Sequence, residues 1–132
     1  MQQYLQARPV DHTHPYLSQR PAGWDYYLWG TVLGAQGHQV SHVHPDGWLS
    51  GVYYAAVPLS IDNDPKAKNR NGWIEFGRSQ TYPKSKAVPE TKTFEPIEGR
   101  LYLFPSYFYH RTIPFESDEK RVSLAFDLMP RA

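Results

Sequence analysis

The sequence contains no cysteine among its 132 residues. It can form neither a disulfide framework nor a thiolate metal site, so any transition metal must rely on histidine and oxygen ligands. Charge of one sign is also lacking, because 14 Lys and Arg balance 13 Asp and Glu to a formal net charge of +1. This balance provides no strong field for nucleic acid or an anionic membrane, and we expect neither as a partner.

Long hydrophobic runs are absent as well. No apolar run approaches the roughly 18 residues that span a bilayer, and residues 1–10 lack the apolar stretch of a secretory signal. We therefore expect a cytoplasmic protein. The length is that of one ordinary domain, so we predict a single domain over residues 1–132 and leave open whether it forms a homo-oligomer.

Aromatic and turn-forming residues are plentiful. Ten Tyr, six Phe and four Trp stand beside 12 Pro and nine Gly, which favours short strands broken by frequent turns. Residues 1–23 show no periodicity and predict an extended N-terminal lead-in, followed by a β core over residues 24–129. Most of residues 59–92 is predicted to be loop. The predicted strands cover residues 24–33, 39–44, 49–57, 72–76, 92–95, 100–104, 107–112 and 121–128. About eight strands without a convincing helix favour a mainly β fold, the eight-stranded jelly roll or double-stranded β-helix.

Three histidines are candidate metal ligands. His42 and His44 stand two residues apart in a predicted strand, so their imidazoles share a face and can chelate one ion. The same spacing is also typical of a solvated strand face. His110 lies in an aromatic segment near the end of the chain, where a histidine without companions is usually a hydrogen-bonded core residue. A jelly roll folds back on itself, so the three side chains can converge and leave coordination positions open for substrate and O₂.

The last predicted strand carries a candidate anion site. Arg121 and Ser123 share one face of this strand, eleven residues or more after His110. A guanidinium fork with a neighbouring hydroxyl is well suited to bind a carboxylate. The alternation alone does not say whether this face is buried or in solvent.

At these positions the sequence resembles the Fe(II)/2-oxoglutarate oxygenase superfamily, whose pattern is His-x-Asp/Glu, a distal His on a late strand and an Arg shortly after it. It is most similar to a group of small 2-oxoglutarate/Fe(II) oxygenases, some of which are fused to tetratricopeptide repeats. The similarity covers most of residues 38–128 and is carried by residues 42–54, 72–77 and 99–110, by Thr112, Pro114 and Phe115, and by residues 121–127.

The resemblance implies a jelly-roll core in which His42, His44 and His110 bind Fe(II). It also implies that 2-oxoglutarate is the co-substrate and that its distal carboxylate meets Arg121 and Ser123. The implied reaction is oxidative decarboxylation of 2-oxoglutarate by O₂, coupled to hydroxylation of a small-molecule or peptide substrate.

Two assignments stay open. The superfamily usually has a carboxylate where this chain has His44, and Asp46, in the Pro-Asp-Gly turn, is the alternative third ligand. Tyr53 and Tyr54 lie on the next strand and face opposite ways, so one of them could donate its hydroxyl to the co-substrate while the other packs.

Two other functions compete with the oxygenase. One is a cupin-like metal-dependent dioxygenase or isomerase that uses three histidines without 2-oxoglutarate. The other is a non-enzymatic jelly-roll binding module whose histidines are structural.

Overall fold

The chain folds mainly into β strands in the computed structural model, which describes residues 1–79 and 86–131. A short helix, α1, spans Gln2–Ala7, and a turn of 3₁₀ helix spans Leu17–Gln19. The strands are β1 (Trp24–Leu33), β2 (Leu49–Ala56), β3 (Ile74–Phe76), β4 (Lys92–Phe94), β5 (Leu101–Pro105), β6 (His110–Thr112) and β7 (Arg121–Pro130). Residues 80–85, part of the predicted loop, lie outside the described residues. Within the described ranges, no helix is long and apolar enough to cross a membrane.

The strands form two antiparallel sheets. The larger has the order β1-β7-β2-β5 and the smaller the order β4-β3-β6. β7 lies between β1 and β2, which pairs Leu33 with Arg121 and Tyr54 with Ser123. A cavity is lined by residues from both sheets. This architecture confirms the predicted mainly β, jelly-roll class.

The strand predicted over residues 39–44 is wrong, because this segment forms a single β-bridge. The described residues therefore contain seven strands rather than eight. His42 and His110 exchange two backbone hydrogen bonds of 3.0 Å. The next bond, from Thr112 N to Gln39 O at 3.2 Å, is displaced by one residue from the position that a regular antiparallel ladder requires. This slip stops the ladder, yet the segment still lies beside β6.

Residues 1–23 are not a purely extended lead-in, because they include α1 and the 3₁₀ helix. Tyr16 stacks on Trp48 with ring centroids 5.1 Å apart, and Tyr4 meets the same indole edge-on at 6.3 Å. A helix of six residues is not stable alone. Tertiary packing therefore stabilises it, which explains why the periodicity of the sequence does not predict it.

β7 carries polar side chains on its buried face. Arg121, Ser123 and Asp127 are 2%, 2% and 7% exposed, whereas Leu124 is 40% exposed. The apolar core lies in two clusters, one of Tyr16, Trp48, Leu49 and Leu128 and the other of Ile61, Ala67, Trp73 and Phe115. Alternation alone did not say whether the face that carries Arg121 and Ser123 is buried or in solvent. It is buried, and it lines a polar site.

Candidate metal and co-substrate site

Three histidines from two distant segments meet in the cavity. His42 and His44 come from the bridge segment before β2, and His110 is the first residue of β6. Their ring centroids are 5.1 Å apart for His42 and His44, 4.3 Å for His42 and His110, and 5.0 Å for His44 and His110. One ligating nitrogen of each ring lies within 4.8 Å of the other two. The structure thus brings together the three residues that the sequence singled out.

The Nδ1 atom of each ring already makes a hydrogen bond. His42 and His110 each donate from Nδ1 to the carbonyl two residues earlier in the chain, over 2.7 and 2.9 Å. His44 Nδ1 donates to the Asp127 carboxylate, 2.7 Å from Oδ1 and 2.8 Å from Oδ2. A proton on Nδ1 leaves the Nε2 lone pair free, which is the usual arrangement of metal-binding histidines. The donor set therefore fits one divalent transition metal.

His110 is the most buried of the three histidines and lies beside two phenylalanines. Its ring centroid lies 4.8 Å from that of Phe104 and 6.0 Å from that of Phe76. Burial is the main reason why the pKa of His110 falls to about 4, and the neighbouring imidazoles add to the effect. His110 is therefore neutral at neutral pH, which is the form that binds metal.

Arg121 is a buried cation without a counter-ion among the described residues. Its guanidinium carbon lies 4.8 Å from the centroid of the Tyr54 ring, and its Nε and Nη1 make no hydrogen bond there. Arg111 also lines the cavity, but its Nε donates to the buried carboxylate of Glu75 over 2.7 Å. A buried guanidinium is costly unless it is paired. Arg121 thus fits an anionic ligand, and a carboxylate matches its planar fork.

The cavity joins the cation to the histidines. Ser123, Ala125 and Tyr54 line it together with Arg121 and the three imidazoles. It is narrow, with about 30 Å³ free, so a ligand much larger than a water molecule has to displace lining side chains. A larger surface groove of about 650 Å³, whose lining includes His38, contains none of the three histidines.

Tyr53 and Tyr54 do face opposite ways, as the strand pattern predicts. Tyr54 is fully buried in the cavity and its hydroxyl has no hydrogen-bond partner among the described residues, whereas Tyr53 is 38% exposed and does not line the cavity. Burial raises the pKa of Tyr54 to about 12, so its hydroxyl keeps its proton and can donate.

Asp46, the alternative third ligand, lies exposed in the Pro-Asp-Gly turn and outside the histidine cluster.

Sequence reasoning missed two residues that contact His44. Asp127 stands six residues after Arg121 and so shares its face of the last strand, and this spacing could have identified it as a site residue. Trp29 lies with its ring centroid 5.4 Å from that of His44 and also lines the cavity. Its pairing partner in β7 is Ala125, and nothing in the local sequence predicts that register.

Fold and site together define a jelly-roll protein with a three-histidine cluster and a buried arginine that has no counter-ion among the described residues. The model of the family described as "Putative 2OG-Fe(II) oxygenase" matches residues 27–127. The chain therefore belongs to this family of 2-oxoglutarate/Fe(II) oxygenases, which confirms the resemblance found in the sequence. Among curated proteins no match was found.

Two solved structures share the fold. A prolyl-4-hydroxylase from Pseudomonas putida has a TM-score of 0.56 at 16% identity, over 81% of this chain and 54% of that one. An oxidoreductase of the 2OG-Fe(II) oxygenase family from Burkholderia pseudomallei has a TM-score of 0.57 at 14% identity, over 86% of this chain and 48% of that one. This chain spans about half the length of each, and at these identities the likeness concerns the fold alone.

Proposed function

We propose that the protein is an Fe(II)- and 2-oxoglutarate-dependent oxygenase in which His42, His44 and His110 hold the metal. One observation supports this most strongly. The only histidine cluster in the described residues that could bind a metal shares a cavity with Arg121, whose buried guanidinium has no counter-ion there. A metal site alone would not need such a cation, whereas a site for a dicarboxylate would.

Each end of the co-substrate has partners of matching chemistry. Arg121 and Ser123 would bind the distal carboxylate, and the Tyr54 hydroxyl would donate a further hydrogen bond. Arg121 and Asp127 lie at opposite ends of the inward-facing row of β7, and Asp127 contacts His44. With its distal carboxylate on Arg121, the co-substrate would therefore point its 2-oxo acid end toward the histidines. The narrow cavity means that these side chains rearrange as the co-substrate enters.

The protein would contribute positioning and exclusion of water. Iron, when bound by the histidines, would supply O₂ activation and oxidation of a substrate C–H bond. Phe76 and Phe104 pack beside His110 and keep that side of the site dry. The substrate is a small molecule or a peptide, and the cytoplasm remains the expected compartment.

Stabilisation by ligands tests this function. The thermal unfolding midpoint should rise with Mn(II), an ion that does not start turnover, and 2-oxoglutarate should raise it further only when metal is present. Glutarate has both carboxylates but no 2-oxo group and should stabilise less. If metal stabilises the protein and 2-oxoglutarate adds nothing, the cupin-like metalloenzyme is the better assignment. If no divalent metal stabilises it, the metal site is wrong.

A further inference from the structure

The position where a carboxylate ligand is usual is occupied by His44, and a buried carboxylate stands directly behind that imidazole. Both Asp127 oxygens lie within 2.8 Å of His44 Nδ1. Asp127 is 7% exposed, and His44 is the only basic side chain that pairs with it among the described residues. A buried carboxylate must be hydrogen-bonded or paired to be tolerated, so its place beside His44 needs an explanation.

A chain of hydroxyl groups fixes the carboxylate from its other side. Ser50 Oγ donates to Asp127 Oδ1 over 2.6 Å, and Ser106 Oγ lies 2.8 Å from Ser50 Oγ, where it can donate in turn. Ser50 and Ser106 are 1% and 0% exposed. Gly47 leaves room for this chain, because a Cβ there would lie 2.6 Å from Ser106 Oγ. Asp127 is thus held in one orientation by hydroxyl groups that are almost completely buried.

We propose that Asp127 is a positioning residue that acts through His44. Across the imidazole ring, it supplies the negative charge that an aspartate or glutamate ligand would bring to the metal directly. This inference rests on the proposed function. Three imidazole ligands bring no negative charge to a divalent ion, whereas His-x-Asp/Glu with a distal His brings one. The carboxylate keeps the proton on Nδ1, directs Nε2 toward the metal and makes the imidazole a stronger donor.

The substitution Asp127→Asn tests this because it removes the charge and keeps the shape. Metal affinity, measured by competition dialysis with Mn(II), should fall by about 10–100-fold. The affinity of the Mn(II)-saturated variant for 2-oxoglutarate should be unchanged or higher, because the centre gains one unit of positive charge toward a dianion. General damage to the cavity would weaken both ligands together, and that result would overturn the proposal.

Two matched variants separate charge from packing. Ser50→Ala keeps the carboxylate and removes one hydrogen bond, so it should lose less metal affinity than Asp127→Asn. Asp25→Asn removes an exposed carboxylate that pairs with Arg131 on the surface and should leave metal binding unchanged. Equal losses for Ser50→Ala and Asp127→Asn would contradict the role of charge.

A spectroscopic measurement covers the case in which Asp127→Asn does not fold. In the Zn(II)-loaded wild-type protein, ¹H-¹⁵N spectra of the imidazoles should show a far-downfield Nδ1 proton for His44, as a short bond to a carboxylate requires. Absence of that proton in metal-loaded protein would overturn the role of Asp127. If the wild-type protein binds no metal at all, the three-histidine site itself is wrong. If the wild type and Asp127→Asn bind metal equally, the site stands and only the role of Asp127 is wrong.

Discussion

Replacement of Arg121 by methionine should leave the ligand-free protein as stable as the wild type or more stable. Arg121 is 2% exposed and its Nε and Nη1 have no hydrogen-bond partner in the described residues. Each unsatisfied buried donor costs about 1–3 kcal/mol, whereas the cation–π contact with the Tyr54 ring stabilises the folded protein by about 2 kcal/mol. Methionine fills a similar volume without a charge. With two such donors, we therefore expect the free energy of unfolding to rise by about 0–4 kcal/mol.

The same change should nearly abolish binding of 2-oxoglutarate. Hydrogen bonds to a charged group are worth about 1.5–3 kcal/mol each, and a bidentate pair would be lost. A total loss of about 3–6 kcal/mol corresponds to roughly 10²–10⁴-fold weaker binding. A residue that serves structure alone cannot give this combination of higher stability and lower affinity.

Two assays measure these effects. Urea unfolding of the metal-free protein gives the stability, and a 1 kcal/mol gain should raise the thermal midpoint by about 4 °C for a domain of this size. Calorimetry on Mn(II)-loaded protein gives the affinity. Arg131→Met, at an exposed position paired with Asp25, is the control and should change neither. The reasoning is refuted if Arg121→Met loses about 2 kcal/mol or more of stability while it retains 2-oxoglutarate.

Four further predictions follow from the site and its strands. His42→Ala and His110→Ala should each lose stoichiometric metal in elemental analysis, because two remaining ligands leave the ion under-coordinated; retention of full metal by either variant would count against the cluster. Tyr54→Phe should weaken 2-oxoglutarate about 5–10-fold by calorimetry, as loss of one hydrogen bond of about 1 kcal/mol or more implies, whereas Tyr53→Phe should bind normally. Between pH 10 and 12 the unfolded chain releases the Tyr54 proton before the folded protein does, so the wild type should lose up to about 2–3 kcal/mol more stability than Tyr54→Phe in alkaline urea unfolding. Gly51→Ala should destabilise the protein by about 1–3 kcal/mol, because its Cβ would lie 2.3 Å from the ring of Phe126; an unchanged urea midpoint would contradict the packing.

The fold class and the side-by-side placement of His42 and His44 could be predicted from local periodicity, whereas the approach of His110 followed from the jelly-roll fold and the family resemblance. Alternation over residues 121–128 places Arg121 and Ser123 on one face whatever the register of the strand. The spacing of His42 and His44 keeps their rings side by side even though their segment forms only one β-bridge. Residue type and spacing were sufficient for these features.

The features that sequence reasoning missed depend on which distant residues meet. Residues 39–44 have strand periodicity, but a ladder also needs a partner in register, and the pairing with β6 slips by one residue between Gln39 and His42. Helix α1 depends on contact with Trp48, more than 40 residues away. The bond between His44 and Asp127 joins residues 83 positions apart. No local pattern reports such contacts, although the face of the last strand shared by Arg121 and Asp127 would have supported a role for both.

An anaerobic titration tests the central claim most directly. Fe(II)-loaded protein is titrated with 2-oxoglutarate while the visible absorption is recorded, for wild type, Arg121→Met and the control Arg131→Met. We predict a metal-to-ligand charge-transfer band that saturates in the wild type and in Arg131→Met and requires at least about 10²-fold more 2-oxoglutarate in Arg121→Met. No band in wild-type protein that holds one Fe(II), or the same titration curve in Arg121→Met, would contradict the assignment of the three histidines and Arg121 to one site.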